Sequence, residues 1–131
     1  MNNGKVVVYC RTAHSDPISL ETQRVGLTTY AEENGFQIVT AITECGSGLD
    51  YSRKGLEEIT HMAERGEMDH VLIANIDRLG RDTLKRVEFI CRLKDRNVDV
   101  ICANGTIVTR ESLEWWRALG ERYEGVLNVA K

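Results

Sequence analysis

Short apolar runs alternate with amphipathic stretches along this chain, and this alternation constrains the fold more than any other feature. The strand-like runs are KVVVY, QIVTAI, HVLIAN and VDVICA, at residues 5–9, 37–42, 70–75 and 98–103. The amphipathic stretches, with apolar residues at the spacing of one helix face, lie at residues 19–34, 56–66 and 84–93. Connections this short favour an α/β fold: a three-layer sandwich with a mostly parallel sheet of four to five strands and helices on both faces.

Polar and glycine residues mark the ends of the first predicted helix. Ser19 is placed to cap it, Glu21 is expected in its first turn, and Gly35 is placed to end it. A last helical stretch at residues 112–130 carries Trp115 and Trp116 side by side. Two adjacent side chains cannot both face one core, so one of them is either partly exposed or part of an oligomer contact.

Composition limits the classes of protein to which the chain can belong. Its 131 residues are enough for one domain that buries about two-thirds of its unfolded surface. No apolar run approaches the roughly 20 residues of a membrane span, and no signal peptide is visible. The four cysteines are widely spaced, which argues against a zinc site or a disulfide framework and favours a cytoplasmic location. A net charge of −3 excludes nucleic-acid binding mainly through bulk positive charge.

Arginines follow the predicted strands at their carboxyl ends, where open α/β sheets bind ligands. These four residues are Arg11, Arg53, Arg78 and Arg81. A guanidinium group stays charged and matches phosphate oxygens, so several of them directed at one place bind a phosphate and stabilise charge that develops on it. The alternative is that each is solvated or pairs with a nearby acid such as Asp50 or Asp82. Four arginines at strand ends favour a shared anion site.

Other kinds of phosphate chemistry lack their motifs. A thiol phosphatase needs an arginine six positions after its cysteine, where Cys10 is followed by Asp16 and Cys45 by Tyr51. The chain has no Walker loop of the form G-x-x-x-x-G-K-[ST]. Glu44 and the acidic residue at position 77 are too few carboxylates for a metal-dependent nuclease.

Four motifs in a fixed order resemble the catalytic domain of the serine recombinases, the resolvase/invertase family. They are Y-C-R at 9–11, S-L-E-T-Q at 19–23, G-S-G with R-K-G-L at 46–48 and 53–56, and D-R-L-G-R-D at 77–82. The resemblance covers about residues 5–104. It implies a resolvase-like catalytic domain at residues 1–110 and the start of a long linker and dimerisation helix at 111–131.

The resemblance also implies a mechanism. In this family a serine hydroxyl attacks a DNA phosphodiester, forms a phosphoserine bond and releases a 3′ hydroxyl, which later reseals the DNA without a metal or nucleotide cofactor. The phosphate clamp would consist of Arg11, Arg53, Arg78 and Arg81. Asp77 would orient arginines or handle a proton, and Gln23 and Ser47 would support the site. The implied partners are DNA, bound through a region beyond this chain, and further copies in a dimer and a synaptic tetramer, with no membrane.

The chain departs from the family at the nucleophile. The family pattern Y-x-R-x-S places the serine two residues after the arginine, where this chain has Ala13. Alanine has no hydroxyl, so we expect no covalent intermediate. Thr12 and Ser15 lie nearby, but either would need a displaced loop, because in-line attack tolerates little misplacement. Three functions remain open: a recombinase catalytic domain without its usual nucleophile, a non-catalytic dimerisation or regulatory module, and a small-anion binder.

Overall fold

The structure is a computed structural model that describes residues 3–46, 53–80 and 82–105. Its strands are β1 (Lys5–Thr12), β2 (Gln37–Cys45), β3 (His70–Ile73) and β4 (Asp99–Cys102). Its helices are α1 (Pro17–Glu33), α2 (Lys54–Glu64) and α3 (Thr83–Asp95), with a short 3₁₀ helix at Ile76–Arg78. The predicted last helix with its two tryptophans, and the division at residue 110, lie outside the described residues.

The described strands form one parallel sheet in the order β2-β1-β3-β4. β1 lies in the interior of the sheet, paired with β2 on one side and β3 on the other. Its run of valines suits a strand that is covered on both faces. The predicted mostly parallel α/β sheet is confirmed.

Alternate residues of β1 contribute to two separate hydrophobic cores. Val8 and Cys10 pack with Leu27 of α1 on one face of the sheet. The opposite core is larger and includes Tyr9 of β1 together with apolar residues of α2 and α3, among them Leu56, Ile59, Ile90 and Leu93. Helices therefore cover both faces, as the three-layer prediction requires. No helix in the described part of the chain is both long and apolar enough to cross a lipid bilayer.

Several element ends differ from the sequence-based predictions. β1 and β2 each continue past the predicted runs, which end at residues 9 and 42, because residues 10–12 pair in register with residues 43–45. β3 and β4 are shorter than predicted, at four residues each. The extension of β1 and β2 carries Arg11 onto the end of an ordered strand.

The predicted start of α1 was wrong. The cap is Asp16, whose carboxylate accepts a hydrogen bond from the backbone N–H of Ser19 at 3.0 Å, and Pro17 occupies the first turn, where its missing N–H costs nothing. Glu21 therefore lies beyond the first turn, where it forms an ion pair with Arg24 on the helix surface. The predicted end holds: the helix stops at Glu33, and the chain reverses through Gly35 with φ of 74°.

Candidate active site at the carboxyl ends of the strands

Three chain segments meet where β1, β2 and β3 end. Thr12, at the end of β1, accepts a hydrogen bond from the Gly46 N–H at 2.9 Å, which holds the segment after β2 against β1. The turn at residues 77–80, called here the 77–80 turn, follows β3 and lies against the same strand end. These segments carry the predicted site residues, so the parallel sheet brings them together as expected.

Arg11 connects all three segments. Its side chain is 3% exposed, and three of its N–H groups donate to backbone carbonyls. Nε donates to Arg78 at 3.0 Å, Nη1 to Gly46 at 2.9 Å, and Nη2 to Asp77 at 2.9 Å. Carbonyl oxygens that would otherwise need water are thus satisfied by a buried cation. Arg11 fixes the relative positions of the loops around the site.

Arg53 is buried like Arg11, at 5% exposed. Its Nη2 donates a hydrogen bond to the carbonyl of Leu79, and its guanidinium carbon lies 5.8 Å from the centroid of the Tyr9 ring, within cation–π range. Gly46 makes room for it, since a Cβ there would lie 2.9 Å from Arg53 Cδ. The glycine after β2 is therefore required by the path of the arginine stem.

Two further side chains converge on the carbonyl oxygen of Arg11. Arg78 Nη1 donates to it at 2.8 Å, and Gln23 Nε2 donates at 3.2 Å. Each leaves one buried polar atom without a hydrogen-bond partner among the described residues: Nε of Arg78 and Oε1 of Gln23. A buried guanidinium N–H without an acceptor is costly, and a phosphate oxygen is the acceptor that suits it best.

Glu44 is a site residue whose structural role the sequence analysis missed. Its carboxylate accepts a hydrogen bond from the Tyr9 hydroxyl at 2.5 Å and another from the Gly55 N–H, near the start of α2, at 3.0 Å. The N-cap residue of α2, Arg53, makes no side-chain cap, so the carboxylate stabilises this helix end instead. Burial, and next the hydrogen bond to Glu44, raise the pKa of Tyr9 far above its ordinary value. Tyr9 thus remains a neutral donor.

Asp77 and Arg86 form the outer edge of the site. The Asp77 side chain is 69% exposed, and its Oδ1 lies 3.4 Å from Nη1 of Arg86 on α3. The same Nη1 donates to the carbonyl of Gly80 at 3.1 Å. Arg86 did not appear among the predicted site residues, because nothing in a charged helix sequence distinguishes it. The predicted proton-handling or orienting role of Asp77 stays a prediction.

Ala13 lies exposed immediately after β1, in the loop that leads to α1. The Thr12 hydroxyl donates to the His14 carbonyl at 2.6 Å, and Ser15 is exposed. Burial raises the pKa of the Cys10 thiol to about 11, which leaves it protonated at neutral pH. The Thr12 hydroxyl and the Cys10 thiol therefore do not replace a serine at position 13 without a change of structure or environment.

Two predicted site residues, Ser47 and Arg81, lie outside the described residues, and their roles stay predictions. The other six predicted residues are described. Arg11, Arg53, Arg78 and Gln23 are linked by the contacts above, with Asp77 at the edge and Ala13 two residues after Arg11. Within the described ranges no three histidine, cysteine or carboxylate side chains gather as a metal site would require.

Comparison with known proteins identifies the family. The model of the resolvase N-terminal domain matches residues 6–114. A putative resolvase, L103, of Acanthamoeba polyphaga mimivirus is 32% identical over 88 residues, which are 67% of this chain and 44% of that protein. This chain therefore spans less than half the length of that curated relative.

Two solved structures support the same assignment. The N-terminal catalytic domain of TP901-1 integrase is 26% identical with a TM-score of 0.79, over 93% of this chain and 98% of that one. The C-terminal catalytic domain of ISC1926 TnpA, an IS607-like serine recombinase, is 28% identical with a TM-score of 0.72, over 94% and 84%. With the family model matched over most of its length, the chain belongs to the resolvase family and carries a catalytic-type domain of the serine recombinases.

Proposed function

We propose that this chain is the catalytic domain of a site-specific serine DNA recombinase that binds the scissile phosphate but has Ala13 at the nucleophile position. The observation that carries the proposal is the buried Nε of Arg78, which has no acceptor among the described residues. Its guanidinium is held against the Arg11 carbonyl, two residues before Ala13. A phosphodiester oxygen placed there would satisfy the donor at the position where the family attacks phosphorus.

The four arginines would have different roles in phosphoryl transfer. A pentacoordinate phosphorus carries additional negative charge, and fixed guanidinium groups stabilise it without reorganising. Arg78, together with Arg81, would bind the phosphate directly. Arg11 and Arg53, whose described bonds hold the surrounding backbone, would keep those donors in place and add positive charge.

Three further residues would support the site. Gln23 would fix the Arg11 carbonyl, and with it the start of the loop that bears position 13. Ser47 would support the neighbouring loop, and Asp77 would orient an arginine or accept a proton. The partners in this proposal are DNA and further copies of the chain in a dimer and a synaptic tetramer. We place the reaction in the cytoplasm, with no metal or nucleotide cofactor.

Ala13 stops this sequence before the chemical step. An alanine methyl group cannot form the phosphoserine bond, and the Thr12 hydroxyl is committed to the His14 carbonyl. The same residue favours a second candidate function, a non-catalytic recombinase-like module that pairs with or regulates an active partner. The two candidates differ in whether restoring the hydroxyl restores cleavage.

The test restores the serine in a form that can reach DNA. The chain and its Ala13→Ser variant are each fused to a DNA-binding module of known site, and both are incubated with DNA that carries two inverted module sites around a randomised centre. We expect the Ala13→Ser fusion to give a protein–DNA adduct that survives denaturant and disappears on proteolysis. We expect none from the unsubstituted chain or from a variant that combines Ala13→Ser with Arg78→Ala.

Binding is measured in parallel, so that loss of binding is not mistaken for loss of chemistry. Stable binding by the Ala13→Ser fusion with no adduct on any sequence would support the non-catalytic module. An adduct that forms equally well without Arg78 would contradict the proposed role of that side chain.

A further inference from the structure

Four consecutive backbone carbonyls of the 77–80 turn each accept a hydrogen bond from an arginine. Arg11 donates to the carbonyls of residues 77 and 78, Arg53 to that of residue 79, and Arg86 to that of residue 80. Carbonyls in a turn ordinarily point to solvent and bond to water. Here an unbroken series of them is bound to cations, so the backbone that carries Arg78 is restrained along its whole length.

The three arginines come from three different parts of the fold. Arg11 is on β1, Arg53 immediately precedes α2, and Arg86 is on α3. Donors that approach from separate elements oppose movement of the turn in more than one direction. Arg86 is the only described arginine that holds the far end of the turn, where the chain continues toward residue 81.

Arg86 occupies a defined position rather than a solvated one. Its side chain is 17% exposed, and one nitrogen contacts both the Gly80 carbonyl and Asp77 Oδ1. Burial raises the pKa of the Cys102 thiol, at the end of β4, and the positive charge of Arg86 offsets part of that rise. An exposed ion pair alone contributes little, so the carbonyl contact is the interaction that matters for the turn.

We propose that Arg86 is a positioning residue for the phosphate site, which holds the 77–80 turn so that the Arg78 donor is correctly directed. This inference rests on the proposed function, since it assumes that Arg78 binds a phosphodiester. Arg86 itself does not contact the phosphate. Without it the turn remains attached through Arg11 and Arg53 but is released at Gly80, and the Arg78 donor is no longer fixed.

The chain offers a matched control on the same helix. Arg92 is also on α3, but its side chain is 68% exposed and its ion pair is with Glu88, which is not part of the turn. Arg86→Met and Arg92→Met remove the same charge from the same helix, so a difference between them reports position rather than net charge. Arg86→Lys keeps the positive charge and a hydrogen-bond donor, so it tests whether a conservative substitution preserves the position of the turn.

The first measurement needs no ligand. Exchange of the Arg11 Nε–H, which donates to the Arg78 carbonyl, is followed by NMR in the 131-residue chain. We expect Arg86→Met to accelerate this exchange about tenfold, because the turn opens more often. Arg92→Met should leave it within twofold, and Arg86→Lys should fall between. Equal exchange in the two methionine variants would overturn the positioning role.

The second measurement links position to binding. The same proteins are titrated with the dinucleoside monophosphate TpT, which contains one phosphodiester, and with thymidine, which contains none, while the Arg78 Nε–H resonance is observed. We expect TpT alone to shift this resonance, and Arg86→Met to weaken TpT binding about fivefold relative to Arg92→Met. If TpT binds and the two variants bind it equally, the inference fails while the phosphate site stands. If TpT does not bind the unsubstituted chain, the proposed function fails, whatever the exchange rates show.

Discussion

Replacing Gly55 by alanine should destabilise the protein, although helix propensity alone predicts the opposite. Alanine is favoured over glycine in a helix interior by about 1 kcal/mol. Gly55, near the start of α2, is an exception because a Cβ there would collide with Glu44 Oε2 and lie 2.7 Å from Glu44 Cδ and 3.0 Å from Ile42 Cγ2. Hydrogen bonds from the Tyr9 hydroxyl and the Gly55 N–H hold the Glu44 carboxylate in this position.

The cost follows from what the carboxylate has to give up. Moving it away from position 55 breaks its bond with the Gly55 N–H and strains its bond with the buried Tyr9 hydroxyl. Overpacking of this kind costs about 1–3 kcal/mol, and loss of a hydrogen bond to a charged group costs about 1.5–3 kcal/mol. After the gain in helix propensity, we expect Gly55→Ala to lower the free energy of unfolding by about 2–4 kcal/mol.

The assay is urea denaturation of Gly55→Ala and of a matched control variant, Gly26→Ala. Gly26 lies within α1, and a Cβ there meets nothing within 4 Å, so Gly26→Ala should raise the free energy of unfolding by about 0.5–1 kcal/mol. Opposite signs at the two glycines are the expected result. If Gly55→Ala were as stable as the unsubstituted chain, the close contact between α2 and Glu44 would be wrong.

Three other predictions test separate parts of the site. The pKa of Tyr9 is raised in the folded state above its ordinary value of 10.0, so the folded state holds this proton more tightly than the unfolded state does. The free energy of unfolding should therefore fall by up to about 1.4 kcal/mol per pH unit above pH 10. Chemical denaturation across that range should show a shallower fall for Tyr9→Phe, and an equal slope would refute the shift. Cys45 is the exposed thiol and should react with a maleimide well before Cys10, which is buried and whose pKa is raised to about 11. If mapping by mass spectrometry found Cys10 labelled first, the burial of that thiol would be contradicted. Gly46→Ala should displace Arg53, because the Arg53 Cδ would lie 2.9 Å from the new Cβ. We expect this variant to bind TpT severalfold more weakly in the NMR titration. Unchanged binding would show that Arg53 does not contribute to phosphate binding.

The layer architecture followed from the sequence because its signals are local and repeated. Apolar β-branched runs and helix-spaced apolar residues each report their own segment, and short connections leave few arrangements apart from a parallel sheet. The ends of the elements were harder to predict. Residues 43–45 became strand because residues 10–12 pair with them, which is a tertiary contact that no local pattern contains.

The site was predicted as a set of residues, but its internal contacts were not. Strand-end arginines and the family motifs located Arg11, Arg53 and Arg78, whereas their bonds to backbone carbonyls depend on the three-dimensional path of the loops. Glu44 gave no usable signal, since it lies beyond the predicted strand at residues 37–42 and both of its partners come from other elements. Arg86 gave none, because it lies among other charged residues on a helix.

If this chain keeps the phosphate-binding part of a serine recombinase site and has lost its nucleophile, a hydroxyl restored at position 13 should become attached to DNA. The residue that carries the attachment can be mapped by peptide mass spectrometry on the fused chain with and without Ala13→Ser. We expect attachment at position 13 in the Ala13→Ser variant and no attachment in the unsubstituted chain. Attachment of the unsubstituted chain through Ser15 would show that the site has a different nucleophile.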